Sequence, residues 1–132
     1  FEEGIESLDF VQLKSLYDCC FTENPRPTEP EDTFKLLFQH ANIIFSVYDN
    51  KRLIGACRAF SDFNYMTFIF DLCVTPDYQQ KGIGKTLLQK IKNKGRLNCK
   101  LALFSNHEAN QFYKHIGFSA HNRAWVLVDD NL

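Results

Sequence analysis

The sequence contains no apolar stretch long enough to cross a lipid bilayer. A transmembrane helix requires about 20 consecutive apolar residues, whereas charged residues make up 23% of this 132-residue chain and interrupt its hydrophobic runs. We therefore exclude a membrane span within these residues. Because the chain begins at Phe1 rather than at Met, we expect a few residues to precede it, and this start is compatible with a cleaved targeting peptide.

Clustered positive charge is also absent. The chain has 15 lysines and arginines against 16 aspartates and glutamates, which gives a net charge of −1, and no stretch concentrates the basic residues. Nucleic-acid binding depends largely on clustered positive charge that neutralises phosphates. We therefore expect no nucleic-acid partner.

Cysteines spaced for metal binding are missing as well. The chain has five cysteines, without a Cys-x-x-Cys pair or the nearby histidine spacing that zinc requires. An odd set of thiols with no disulfide pattern favours reduced cysteines, which persist in the cytoplasm. We therefore predict no metal site and a cytoplasmic location.

Hydrophobic periodicity predicts a mixed α/β domain. Apolar residues at three- and four-residue intervals predict helices, and β-branched and aromatic runs predict strands. The predicted order is two helices, three antiparallel strands, a helix, a strand, a helix and a last strand, which is not a regular βαβ alternation. We expect residues 1–132 to form a single domain. The predicted helices cover residues 8–20, 31–40, 83–94 and 109–115, and the predicted strands cover residues 43–48, 53–60, 65–74, 101–104 and 125–128.

Local signals predict where some of these elements begin and end. Three prolines within residues 22–30 predict a loop, because proline fixes φ and lacks a backbone donor. Thr28 and Glu31 have the spacing of a capping box at the start of the second helix. Pro76 should end the third strand, because proline cannot donate to a strand ladder.

A glycine-containing turn at residues 79–85 follows the third strand and leads into a helix. The first amides of a helix have no acceptor within the helix, and the helix dipole adds partial positive charge, so such a turn can bind phosphate. Gly82 and Gly84 have no side chain to keep a phosphate away from the backbone, and Lys81 and Lys85 can add charge at the rim. The alternative interpretation is a tight strand-to-helix connection with no ligand.

A nucleotide P-loop is a further alternative for this turn. Gly84-Lys85-Thr86 matches the end of the motif Gly-x-x-x-x-Gly-Lys-Thr. However, Gln79 lies where that motif requires its first glycine, and the antiparallel strands before it do not suit the parallel sheet of a nucleotide hydrolase. The P-loop interpretation is therefore the weaker one.

The segment Gln79-x-x-Gly82-x-Gly84 resembles the pyrophosphate-binding loop of the GNAT superfamily of N-acetyltransferases. The preceding Leu72-Cys73-Val74-Thr75-Pro76 is similar to the end of the family's splayed strand, whose backbone pairs with the pantetheine arm of acetyl-coenzyme A. The resemblance implies a GNAT α/β fold with a mostly antiparallel sheet that opens near residues 72–75. It also implies that Leu72, Cys73 and Val74, together with Gln79, Gln80, Lys81, Gly82, Ile83, Gly84 and Lys85, bind this cosubstrate.

A second block, Asn106-x-x-Ala109-x-x-Phe112-Tyr113-x-x-x-Gly117-Phe118, resembles the carboxy-terminal motif of the same family. The resemblance implies that Asn106 and Asn110 contact the cosubstrate and that the Tyr113 phenol protonates the departing thiolate. The alternative for Tyr113 is a core aromatic residue beside Phe112.

Two further residues invite catalytic roles. Asp71 directly precedes the expected cosubstrate strand, so we expect it to accept the proton of the acceptor amine, directly or through water; the alternative is a hydrogen-bonded strand carboxylate. Cys73 suggests a covalent acetyl-cysteine, but no motif positions a histidine to ionise it. Direct attack by the amine in a ternary complex is the better interpretation.

Together these patterns predict an enzyme that transfers acetyl from acetyl-coenzyme A to a primary amine of a small molecule or peptide. A regulatory module that binds acetyl-coenzyme A without turnover is the alternative, and an interaction domain without any cosubstrate is a third possibility. We expect residues 21–30 and 60–65 to form walls of the acceptor pocket. The resemblance also allows a homodimer.

Overall fold

The computed structural model of the protein describes residues 1–129. Its sheet has five strands, and helices lie against both faces. The strands are β1 (Glu2–Glu3), β2 (Ile43–Asp49), β3 (Arg52–Ser61), β4 (Met66–Val74) and β5 (Lys100–Leu103), and the helices are α1 (Phe10–Cys20), α2 (Glu31–Gln39), α3 (Ile83–Lys94) and α4 (Asn110–His115). Short 3₁₀ turns cover Ile5–Ser7, Pro76–Tyr78 and His107–Ala109.

The five strands lie side by side in the order in which they occur along the chain. The first three pairings are antiparallel, and only β4 and β5 run parallel. The β4–β5 pairing extends only to Ile69 opposite Leu103, whereas β4 continues to Val74 along β3. The predicted mixed α/β fold and mostly antiparallel sheet are therefore confirmed, and the sheet opens on the β5 side of β4.

The two faces of the sheet carry separate hydrophobic cores. Alternate residues of a strand point to opposite faces, so Ile44 packs against α1 and α2 whereas Phe45 packs against α3. Residues 43–47 of β2 and 53–59 of β3 are all buried. Because both faces are covered, the central strands show no alternation of apolar and polar residues.

Two details of the sequence prediction are wrong. The capping box does not form, because α2 begins after Pro30, which has no side-chain acceptor, and the Thr28 hydroxyl instead hydrogen-bonds Asp18 at 3.3 Å. Residues 125–128 form no strand, and Trp125 is 91% exposed, since β propensity does not produce a strand without a partner edge.

Cys57 lies at the centre of β3 and is fully buried. Burial raises the pKa of its thiol from 9.0 to about 12. The unfolded chain therefore loses this proton near pH 9 while the folded chain keeps it, so stability falls as the pH rises between these values. At pH 11, two units above the unfolded value, the loss amounts to about 3 kcal/mol. In urea unfolding at pH 8 and pH 11, we expect the wild-type protein to lose more stability than Cys57→Ala; equal losses would contradict this assignment.

Candidate active site

A narrow cleft lies where β4 and β5 separate. It encloses about 40 Å³, which is room for a few water molecules. On the β5 side, the backbone of β4 beyond Ile69 has no strand partner among residues 1–129, so an extended ligand can hydrogen-bond to it as an additional strand would. The cleft is lined by Ile69, Phe70 and Leu72 of β4, by Leu103, Phe104, Ser105 and Asn106, by Ala109 and Tyr113, and by Phe21 and Arg26 from the loop between α1 and α2.

Residues 75–82 connect β4 to α3. The first turn of α3 lies against Phe112 of α4, next to Tyr113, which lines the cleft. Gly82 has a φ of +84°, and a Cβ placed there would meet no atom within 4 Å. Gln80 also has a positive φ, of 62°. Left-handed residues before a helix start turn backbone amides into a concavity that suits an anion. The exposed Lys81 and Lys85 lie on this loop and on the first turn of α3.

Gly84 has a different role from Gly82. A Cβ at Gly84 would lie 3.3 Å from Cζ of Phe112, which is closer than ordinary van der Waals contact. The missing side chain therefore allows α4 to pack closely against the first turn of α3.

Gln79 and Cys73 have side chains that satisfy nearby backbone carbonyls. The Gln79 amide donates to the Val74 carbonyl at 2.9 Å and so fixes the loop against the end of β4. The buried Cys73 thiol faces the α1–α2 core and contacts the Ala56 carbonyl at 3.6 Å. Burial raises the pKa of Cys73 well above its ordinary value, which keeps it a thiol and argues against an acetyl-cysteine intermediate.

Tyr113 lies on α4 and lines the cleft. Its ring contacts Phe112 and Phe118 at centroid distances of 5.1 and 5.4 Å. Burial raises the pKa of its phenol to about 12; the nearby Cys73 adds to this shift and Arg26 opposes it. The phenol therefore stays protonated at neutral pH and can act as a proton donor. The Tyr113 side chain thus packs against the core and also lines the cleft.

Asp71 is not among the residues that line the cleft, and its buried carboxylate accepts three hydrogen bonds. Oδ2 accepts hydrogen bonds from Arg58 Nε at 2.6 Å and from the Tyr17 hydroxyl at 2.8 Å, and Oδ1 accepts from Arg26 Nε at 2.7 Å. A general base needs a free lone pair within reach of the amine. This geometry favours the alternative role of a hydrogen-bonded strand carboxylate.

Asn106 directly precedes the 3₁₀ turn His107–Ala109, and Asn110 is the first residue of α4. Asn106 lines the cleft, and its side-chain oxygen Oδ1 accepts a hydrogen bond from the side-chain amide Nδ2 of Asn24 at 3.0 Å. Asn110 hydrogen-bonds Ser105. Of the two predicted pocket walls, residues 21–30 contribute Phe21 and Arg26 to the cleft, whereas residues 60–65 contribute none of its lining.

Sequence reasoning missed the two arginines around Asp71. Arg58 is a charged residue in the middle of the apolar run of β3, which is a signal for a buried partner, because buried charges are almost always paired. Arg26 lies in a proline-rich loop and gave no comparable signal. Among residues 1–129, we find no cluster of histidine, cysteine, aspartate and glutamate that could hold a metal. No helix in this range is both long and apolar enough to cross a membrane.

Curated acetyltransferases match part of this chain. An "Uncharacterized N-acetyltransferase ycf52" from Gracilaria tenuistipitata var. liui is 36% identical over 84 residues, which cover 61% of this chain and 46% of that protein. "GCN5-related N-acetyltransferase 2, chloroplastic" from Arabidopsis thaliana is 38% identical over 72 residues, 53% of this chain and 28% of that protein. The chain thus spans less than half the length of these curated relatives.

Solved structures have the same fold. A probable acetyltransferase from Staphylococcus aureus superposes with a TM-score of 0.73 at 20% identity and covers 92% of both chains. The acetyltransferase AAC(6')-Iy, in complex with a bisubstrate analogue that contains coenzyme A, superposes with a TM-score of 0.66 at 17% identity and covers 92% of this chain and 91% of that one. The model of the acetyltransferase (GNAT) family matches residues 10–118. This chain belongs to the GNAT family of acetyltransferases, whose cosubstrate is acetyl-coenzyme A.

Proposed function

We propose that this chain transfers the acetyl group of acetyl-coenzyme A to a primary amine by direct attack in a ternary complex. One observation carries the proposal: the opening between β4 and β5 lies beside a helix amino terminus with an unobstructed glycine. The first feature can pair with an extended pantetheine arm, and the second can bind pyrophosphate.

Residues on three elements would hold the cosubstrate. The β4 backbone at Leu72, Cys73 and Val74 would pair with the pantetheine arm. Asn106 and Asn110 would contact it from the start of α4. The pyrophosphate would be bound by the loop and the first turn of α3: Gln79, Gln80, Lys81, Gly82, Ile83, Gly84 and Lys85.

Tyr113 is the proposed general acid. The amine nitrogen attacks the thioester carbonyl carbon, the carbon–sulfur bond breaks, and the phenol protonates the departing thiolate. The amine proton must also leave. Since no carboxylate or histidine is among the residues that line the cleft, we propose that water accepts this proton and that Asp71 holds the arginines instead of acting as a base.

Gly82→Trp should abolish binding of acetyl-coenzyme A, because the indole would fill the proposed phosphate position. The measurement is isothermal titration, in which we expect micromolar affinity for the wild-type protein and no detectable heat for the variant. Gly117→Trp is a matched control, since Gly117 also has a positive φ, +106°, and no neighbour within 4 Å of its added Cβ. The two variants thus share the backbone strain of a bulky left-handed residue.

The titration has two outcomes against the proposal. If wild-type protein does not bind acetyl-coenzyme A, the proposed site is wrong. If both tryptophan variants lose binding equally, strain rather than the phosphate site explains the loss. If the protein binds acetyl-coenzyme A but releases no coenzyme A thiol in the presence of any amine, the regulatory module is favoured over the enzyme. A cytoplasmic location and a homodimer remain predictions.

A further inference from the structure

Among residues 1–129, Arg26 is the only charged residue that lines the cleft. Its side chain is 19% exposed, so it is largely withdrawn from water but still reaches the cleft. The guanidinium stacks on the Phe21 ring, with Cζ 3.9 Å from the ring centroid. The remaining lining is apolar or uncharged. A ligand in this cleft therefore meets one fixed positive charge and no negative one.

The buried charges around Arg26 do not balance. Asp71 supplies one negative charge, and it is shared by Arg26 and Arg58. The other partners of Arg26 are neutral carbonyls, those of Asn24 at 2.6 Å and of Phe70 at 2.8 Å. Arg58 likewise donates to the Leu37 carbonyl at 2.8 Å. This group of three side chains thus has a net charge of +1.

The nearest acidic residues along the loop have other partners. Glu23 contacts His107 at 2.8 Å. Glu29 and Asp18 both contact Lys14, at 3.3 and 2.8 Å. Within residues 1–129, none of these three carboxylates therefore neutralises the excess positive charge beside the cleft. A charge withdrawn from water is costly unless an opposite charge approaches it, so this site favours an anionic ligand.

Arg26 also has donors to offer. A guanidinium has five N–H groups, and the hydrogen bonds to Asp71, Asn24 and Phe70 use three of them. The planar fork of arginine matches the two oxygens of a carboxylate. Phe21, Phe70 and Phe104 provide an apolar wall next to this charge.

We propose that Arg26 determines acceptor specificity and that the acceptor is an amine that also carries a carboxylate on an apolar body. Polycationic amines are disfavoured, because their additional ammonium groups would face the guanidinium. This inference rests on the proposed acetyltransferase function, since it places the acceptor in the cleft that Tyr113 also lines.

The test compares two ligands of similar shape and opposite charge, 3-phenylpropanoate and 2-phenylethylammonium. Each is titrated into the protein with and without saturating acetyl-coenzyme A. We expect the anion to bind at least about tenfold more tightly than the cation. Because a hydrogen bond to a charged group contributes about 1.5–3 kcal/mol, Arg26→Gln should weaken anion binding by about tenfold or more. Arg26→Lys keeps the positive charge but loses the planar fork. Its affinity for the anion should lie between those of the wild-type protein and Arg26→Gln.

Arg96→Gln is the matched control, because Arg96 is exposed and hydrogen-bonds Asn64 away from the cleft. It should leave anion binding unchanged, and thermal unfolding verifies that each variant is folded. The inference is overturned if the cation binds as tightly as the anion, if neither binds, or if Arg26→Gln binds the anion like wild type. Titration of acetyl-coenzyme A alone reports on the proposed function separately, so the two failures are distinguishable.

Discussion

Replacing Asp71 with asparagine should lower the free energy of unfolding by about 3–5 kcal/mol, which is the cost of breaking a buried ion pair from one side. Arg58 would keep its charge beneath the rings of Phe38 and Phe70 and lose its only carboxylate. The Tyr17 hydroxyl would lose a charged acceptor. Urea unfolding followed by circular dichroism at pH 7 measures the change.

Asp77→Asn provides the comparison for this experiment. Asp77 pairs with Arg52 at 2.8 Å, but both side chains are more than half exposed, and such surface pairs contribute at most about 1 kcal/mol. If Asp71→Asn lowers the free energy of unfolding no more than Asp77→Asn does, the buried network does not stabilise the fold.

The same Asp71 variant separates two roles. A general base predicts a loss of kcat in the folded variant with little change in the KM for the acceptor. A residue that positions Arg26 predicts mainly a higher KM for the acceptor, because Arg26 would lose the carboxylate that orients its fork. We expect the second result.

Tyr113→Phe should lower kcat by about 100-fold and leave the affinity for acetyl-coenzyme A nearly unchanged. General acid catalysis contributes 10²–10⁴-fold. Burial raises the pKa of Tyr113 to about 12, above that of an ordinary phenol, which makes proton donation about 3 kcal/mol less favourable. We therefore expect the lower end of that range. Phenylalanine keeps the ring contacts with Phe112 and Phe118, so the fold should persist.

The pH dependence adds a second check on Tyr113. Because burial raises the pKa of its phenol to about 12, we expect no decrease in kcat from ionisation of Tyr113 as the pH rises to about 10. Tyr65→Phe is the control, since Tyr65 is exposed and away from the cleft, and it should retain wild-type kcat. Wild-type activity of Tyr113→Phe would show that water or another group protonates the thiolate.

Features that depend on neighbouring residues could be predicted from the sequence. The end of β4 before Pro76 and the turn around Gly82 follow from local backbone chemistry, and the family resemblance added the opening of the sheet. The capping box at Thr28 is a local signal that failed, because Pro30 intervenes between Thr28 and the first residue of the helix.

The charge network could not be predicted in the same way. Asp71 contacts Arg58 from 13 positions away and Arg26 from 45 positions away, and no periodic pattern relates such positions. The strand predicted at residues 125–128 failed for a related reason, because a strand depends on a partner edge that local sequence does not contain.

The burial of β2 and β3 on both faces has a consequence for the evolution of this domain. In a sheet with one solvated face, every second strand position can drift neutrally. Here, adjacent positions such as Ile43 and Ile44 belong to opposite cores, so neutral drift is excluded along most of both strands. We therefore expect substitutions that alter acceptor preference in loops such as residues 22–30, which contribute no residue to either core.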